Sequence, residues 1–157
     1  FADNTSVMFV VDREDPTKQL GAQISVTWKN VGQTPATRVR IWLSAKAFAP
    51  HTTPEGIGFP DLPEFRSEVA PLGPSQTVHA RANIDADTLA TADAGSTLFY
   101  WGWIEYDGLT PGMRHRTETC CALHVLEQPN SDRKTTVTSH ITLFNAADGE
   151  CVHRPKT

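Results

Sequence analysis

A chain of 157 residues is long enough to close one core and too short to close two comfortably, so residues 1–157 are read as one domain. Its formal net charge of -4, with 14 Lys and Arg scattered along the chain, forms no basic patch of the kind that nucleic acid or an anionic membrane surface requires. No apolar run approaches the roughly 18–20 residues that span a bilayer, and no basic-then-apolar leader opens the chain.

The chain begins at Phe1 without a Met and enters a strand pattern by Ser6, as it would after loss of a leader or an anchor, so an upstream segment is expected. Along most of the length, apolar residues alternate with polar ones at a period of two, with breaks at Gly, Pro, Asn and Asp. That rhythm predicts strands. Ser6 to Val11 is the first, ended by Asp12-Arg13-Glu14-Asp15-Pro16, whose Asp and Pro favour turns. From Gln19 to Val31, Ala22, Ile24, Val26 and Trp28 share one face while Gln23, Ser25, Thr27 and Lys29 share the other. After a turn over Asn30 to Pro35, Ala36 to Phe48 is a second long strand. Val39, Ile41, Leu43 and Ala45 point inward there, with Arg38, Arg40, Trp42 and Lys46 opposite.

Six of the eleven prolines lie between Pro50 and Pro74, so residues 50–75 cannot hold a central strand. Phe59, Leu62, Phe65 and Val69 are too apolar for a free linker, and the segment is expected to lie across the domain. Gln76 to Ile84 predicts a strand, and Asp85 to Ala94 a short helix with Asp85 or Asp87 as N-cap and Gly95 past its end. Ser96 to Tyr106 and Met113 to Glu127 form a hairpin around Asp107 to Gly112, followed by Thr135 to Phe144 and a tail over residues 145–157. About seven strands, one short helix and no βαβ alternation predict an all-β antiparallel sandwich, with a barrel as the alternative.

Cys120 and Cys121 are adjacent and Cys151 stands near the end, which is not a zinc pattern. One bridge from the pair to Cys151 would pin the tail and suit an oxidising compartment. Three reduced thiols in a cytosolic protein is the other reading.

The segment Trp28-Lys29-Asn30-Val31-Gly32-Gln33-Thr34-Pro35-Ala36-Thr37-Arg38-Val39 resembles the strand-turn-strand signature of bacterial extracytoplasmic immunoglobulin-like and fibronectin-like domains. Asn and Gly suit a turn of positive φ, Pro restricts entry to the next strand, and the small Ala lets it begin packed. Leu72-Gly73-Pro74-Ser75-Gln76 looks like the turn before the fifth strand of such domains. Gly102-Trp103-Ile104-Glu105-Tyr106-Asp107, His115-Arg116-Thr117-Glu118-Thr119-Cys120 and Phe144-Asn145-Ala146-Ala147-Asp148-Gly149-Glu150-Cys151 are similar to segments of uncharacterised bacterial proteins that carry membrane helices ahead of one such domain. Thr119, where that pattern more often has an aromatic, and the extra Cys121 depart from it. The resemblance implies an immunoglobulin-like sandwich outside the cytoplasm, periplasmic or at the cell surface and anchored to the inner membrane. It implies no catalytic activity. Strand phase bears on the bridge separately: Met113, Thr117, Cys121, Leu123 and Val125 share the more apolar face, and Arg114, Arg116, Glu118 and Cys120 the polar one. A tail crossing the outside would meet Cys120, so Cys120–Cys151 is expected, with Cys121 a buried thiol and Cys121–Cys151 as the alternative.

Catalytic patterns are absent. No G-x-S-x-G presents a nucleophile, and Ser44, Ser96 and Ser139 sit in strand contexts. The six His, at 51, 79, 115, 124, 140 and 153, include no H-x-H or H-E-x-x-H, so neither a metal nor another cofactor is expected. His115 and Asp107 come within reach of each other across the hairpin and are read as fixing the turn or sitting solvated, with a metal site as the alternative. Asp85-Ala86-Asp87 opens like a calcium loop, but Leu89 and Ala90 stand where an oxygen ligand and the turn glycine belong. No carboxylate pair of the glycosidase kind can be singled out.

Phe99, Trp101 and Trp103 alternate along one strand, and Trp42 with Arg38 and Arg40 lies on the polar face of another. Trp and Arg together are what recognition surfaces enrich, so Trp42, Trp101, Trp103, Arg38 and Arg40 are the candidate binding surface. The competing expectation is burial under the Pro-rich segment through Phe59, Leu62 and Phe65. The chain is therefore read as a non-enzymatic interaction or structural module with a protein partner. A carbohydrate-binding module is the alternative, and a hydrolase sited near the Pro-rich connection a second.

Overall fold

The computed structural model describes residues 2–15, 19–62, 66–68, 71–93, 96–110, 112–127, 134–141 and 144–151. Strands β1 (Ala2–Val11), β2 (Gln19–Lys29) and β5 (Thr77–Asp85) form one sheet in the order β1-β2-β5. Strands β3 (Thr37–Phe48), β4 (Arg66–Glu68), β6 (Thr97–Asp107), β7 (Arg114–Glu127) and β8 (Lys134–His140) form a second in the order β4-β3-β6-β7-β8. All pairings are antiparallel. With the strands divided between two separate sheets, the architecture is an all-β sandwich and not the barrel weighed as its alternative. Among the described residues, no helix is long and apolar enough to cross a membrane.

The period-two rhythm decides what lies between the sheets. Ala22, Ile24, Val26 and Trp28 of β2, with Ala80, Ala82 and Ile84 of β5, pack against Val39, Ile41 and Leu43 of β3, Leu98, Tyr100 and Ile104 of β6, and Cys121 and Leu123 of β7. The intervening residues of the small sheet face outward and pair across strands: Gln23 donates to Asn83 at 3.0 Å, and Thr27 meets His79 at 2.7 Å. Gly102, opposite Leu43, lets β6 lie close to β3, since a Cβ there would stand 2.4 Å from the Trp42 carbonyl oxygen.

Two differences from expectation come from the Pro-rich stretch. It contains a short helix, α1 (Pro54–Ile57), and the three-residue β4, added at a sheet edge to the strands expected. β4 adds to the edge of β3 at Arg40 to Trp42, the kind of position that flanking prolines leave open. Phe65 and Val69, expected within this layer, lie outside the described residues. The helix α2 (Ala86–Asp93) closes one end of the sandwich through Leu89, which is buried in the core. Asp85 is its cap: its Oδ1 accepts from the Thr88 N–H at 2.7 Å, which holds the carboxyl below the ordinary aspartate range.

Asn30 joins the two turns singled out in the sequence. Its Nδ2 donates to the carbonyls of Thr34 (2.9 Å) and Leu72 (3.1 Å), and its Oδ1 accepts from the Gly32 N–H at 3.0 Å. The Asn30 main chain bonds to Gln76 and Ser75, and Ala36 bridges Leu72. Asn30→Asp keeps the shape but turns both donors into acceptors beside carbonyls. We expect it to lower stability by about 2–3 kcal/mol in urea unfolding, whereas Val31→Thr, at an exposed neighbour, stays within about 0.5 kcal/mol.

Candidate functional site

The outer face of the large sheet gathers most of the chain's Trp and much of its charge. In register across it stand Trp42, Trp103 and Glu118; Arg40, Glu105 and Arg116; and Ser44, Trp101 and Cys120. One end of the face is apolar and the other ionic.

The apolar end is roofed. Phe59, Phe99, Trp101, Cys120, Ala122 and Phe144 form a second buried cluster, with Ile57, Leu62 and Ile141 packed on it. Phe59 meets Trp101 at 5.4 Å and Phe144 edge-on at 4.4 Å between ring centroids. The roof is also tied by hydrogen bonds: Trp101 Nε1 donates to the Pro60 carbonyl at 3.1 Å, Trp103 Nε1 to Asp61 at 2.7 Å, and the Leu62 N–H to Ser44 Oγ at 3.2 Å. Phe59 and Phe144 both sit at positive φ (41° and 59°), a region that costs a non-glycine residue of order 1–3 kcal/mol. Burying a Phe side chain returns about 1.5–3 kcal/mol, so packing offsets the strain.

At the ionic end, Arg116 lies between two carboxylates, 2.8 Å from Glu105 and 2.8 Å from Glu118. These three residues are 2%, 1% and 3% exposed, respectively. Arg114 reaches Glu105 at 3.1 Å and Asp107 at 3.0 Å, and Arg38 pairs with Asp107 at the solvent side. Burial works to raise the Asp107 carboxyl, but the bonds from Arg38 and Arg114 prevail and hold it below its ordinary range. The Arg116 guanidinium lies over the Trp103 ring at 4.6 Å, and Trp103 stacks on Trp42 at 5.8 Å.

The predicted binding surface is therefore mostly covered. Trp101 and Trp103 are 3% and 5% exposed, Trp42 and Arg40 are half-buried, and Arg38 stands at the surface. The competing expectation of a roof describes this face, through Phe59 and Leu62. Burial also removes the pair of exposed indoles on which the carbohydrate alternative relied. His115 is not held by Asp107. Its Nδ1 meets Asp148 Oδ2 at 3.0 Å and its ring stacks on Tyr106 at 5.1 Å, while Asp107 faces Arg114 in register. Sequence reasoning missed the Glu105–Arg116–Glu118 cluster. The signal was present in the hairpin, where Glu105 and Asp107 on one arm and Arg114, Arg116 and Glu118 on the other recur at alternate positions.

The expected Cys120–Cys151 bridge is not formed: Cys120, Cys121 and Cys151 are buried without any disulfide. The tail does not cross the face at Cys120. It pairs with the edge of β7 lower down, with Thr117 bridging Ala147 and the Glu118 N–H donating to the Ala146 carbonyl at 2.9 Å. Asp148, at φ 51°, accepts from the Arg116 N–H at 3.0 Å, and Cys151 Sγ donates to the Arg116 carbonyl at 3.4 Å. Arg116 precedes Cys120 by four residues of extended strand, about 13 Å, whereas a disulfide needs Cα atoms within about 7 Å. Asn145 takes the place opposite Cys120 instead, accepting from its N–H at 3.1 Å and donating to its carbonyl at 2.7 Å. Cys121 is buried as expected, its sulfur 3.3 Å from His140 Nδ1.

Among the described residues, no three of His, Cys, Asp and Glu converge as metal ligands. No family model, no curated protein and no solved structure matches this chain.

Two outcomes test this site. Arg116→Met removes the cation that two buried carboxylates share and is expected to cost about 3–5 kcal/mol in urea unfolding, with part of the loss recovered when Glu105→Gln and Glu118→Gln are added. Burial raises the Cys120 thiol and pushes Cys151 up to about 11, so both stay protonated at mildly alkaline pH. Iodoacetamide should then modify none of the three cysteines in the native protein and all three in guanidinium, as read by mass spectrometry. A Cys120–Cys151 linked peptide would contradict this arrangement.

Proposed function

We propose that this chain is a non-enzymatic, immunoglobulin-like module of the cell envelope, acting in a structural or protein-binding role and anchored through a segment outside this sequence. One observation carries the reading: the side chains able to do chemistry on the large sheet are engaged in holding the chain together. Arg116 is held between Glu105 and Glu118, His115 against Asp148, and Ser44 under Leu62, while Asp61 of the roof accepts from Trp103.

The strand arrangement supports the immunoglobulin-like part. β1, β2 and β5 lie in one sheet and β3, β6 and β7 in the other, as the A, B, E and C, F, G strands do in such domains. On this reading β4 is a short addition beside the C strand and β8 an extra strand beyond the G strand. The envelope location rests on the sequence resemblance.

Fusing the full gene product to a reporter that becomes active only outside the cytoplasm tests the location. Reporter activity is the expected result, and an inactive reporter on a protein recovered from the cytosol would overturn it. In the same preparation, tryptophan emission should not change when soluble polysaccharides are added. Quenching would move the reading to the carbohydrate-binding alternative.

A further inference from the structure

Among the described strands the two sheets end at four edges, formed by β4, β5, β8 and β1. β4 is three residues long, β5 carries Arg81 and Asp85 and runs beside β3, and β8 begins at Lys134 and gives way to the tail after His140. Short strands, edge charges and covering segments are how sheets avoid pairing with other chains. Among the described residues, the edge formed by β1 pairs with no further strand, and its one charged residue, Asp3, stands near its start. It is ten residues long, among the described strands it pairs only with β2, and from Asn4 to Val11 it contains no charged residue and no proline.

Its outer face exposes Asn4 and Ser6 in its first half and apolar side chains in its second. Met8 is 62% exposed and Val10 42% exposed on the outer face. On the inner face Val7 and Phe9, paired with Ile24 and Ala22, are only half-buried against the core.

We propose that β1 is a homodimer edge that takes the β1 strand of a second copy, antiparallel, about a two-fold axis through Met8. A two-fold axis normal to the sheet keeps both inner faces on the same side, so opposed residues must differ by an even number of positions. With Met8 on the axis, residues 5–11 pair throughout. Val7 then faces the partner's Phe9, completing the cover of both on the core side, and Met8 meets the partner's Met8 on the outer side. With Val7 on the axis, Phe9 would face a threonine and Met8 a serine. With Phe9 on the axis, only residues 7–11 of the strand would pair. The absence of charge lets two identical strands meet without repulsion and gives a differently charged foreign strand nothing to recognise. One strand pair is a small interface, so the dimer is weak and concentration-dependent. This inference rests on the strand edge and not on the envelope location.

Engineered cysteines read the register directly, because the native thiols are buried. Opposed residues in an antiparallel pair have Cα atoms about 4.5–5.5 Å apart, within disulfide reach. Met8→Cys is therefore expected to cross-link to itself under mild oxidation. Ser6→Cys or Val10→Cys alone would hold like positions about 13 Å apart and give little dimer, whereas the two mixed together give a cross-linked pair. In sedimentation equilibrium the wild-type chain should show a concentration-dependent dimer. Met8→Lys, at an exposed site that leaves the circular dichroism unchanged, should be monomeric. A wild-type chain that stays monomeric at all concentrations, a dimer that survives Met8→Lys, or Ser6→Cys cross-linking to itself as readily as Met8→Cys would each overturn the proposal.

Discussion

Glu105 and Glu118 are buried on a face of a sheet that ordinarily meets water, and the Arg116 guanidinium between them is what makes their burial tolerable. An ion pair of this sort adds little net stability compared with well-packed apolar residues, but removing one partner leaves a charge that cannot reach solvent. The rest of the outer layer follows from it. Arg114 completes the pairing of Glu105, Trp103 covers the flat side of Arg116, and the tail bonds the Arg116 main chain. The layer over the large sheet is therefore held by specific partners as well as by apolar contact.

That layer gives the sandwich a second core. Between the sheets the side chains are aliphatic with Trp28 and Tyr100, whereas the outer cluster is mainly aromatic and is filled from two distant parts of the chain, around Phe59 and Phe144. Both residues accept a left-handed backbone to bring their rings together, and Asp148 does so to present its carboxylate. Strain at three positions of one layer shows that the packing, and not local preference, shapes these segments. Asn30 plays the matching part at the other side of the fold, where it joins two turns 42 residues apart with its carboxamide.

The cysteines illustrate how edge pairing redirects a tail. β8 leaves β7 after His140, and the tail returns to the same edge to use main-chain groups that β8 has vacated, with Asn145 standing in for a strand at Cys120. This places Cys151 beside Arg116, too far along the strand for a bridge to Cys120. The thiols are thus part of the packing, and burial keeps Cys120 and Cys151 protonated.

The sequence by itself determined the sandwich. The alternation in Gln19 to Val31 and Ala36 to Phe48, the hairpin from Ser96 to Glu127 and the helix after Asp85 are all local patterns, and their period fixes which side chains face the core. It also contained the roof as one of two readings, because a Pro-rich segment with Phe59 and Leu62 has apolar surface to bury and no strand to join. Only the tertiary structure decided the rest. Whether Trp101 and Trp103 are open or covered depends on where residues 50–62 and 144–151 come down. The partners of Glu105 and Glu118, and the position of Cys151 along β7, depend on register between separate strands and on which strand edge is left unpaired. Those are relations across distant parts of the chain, and no local period encodes them.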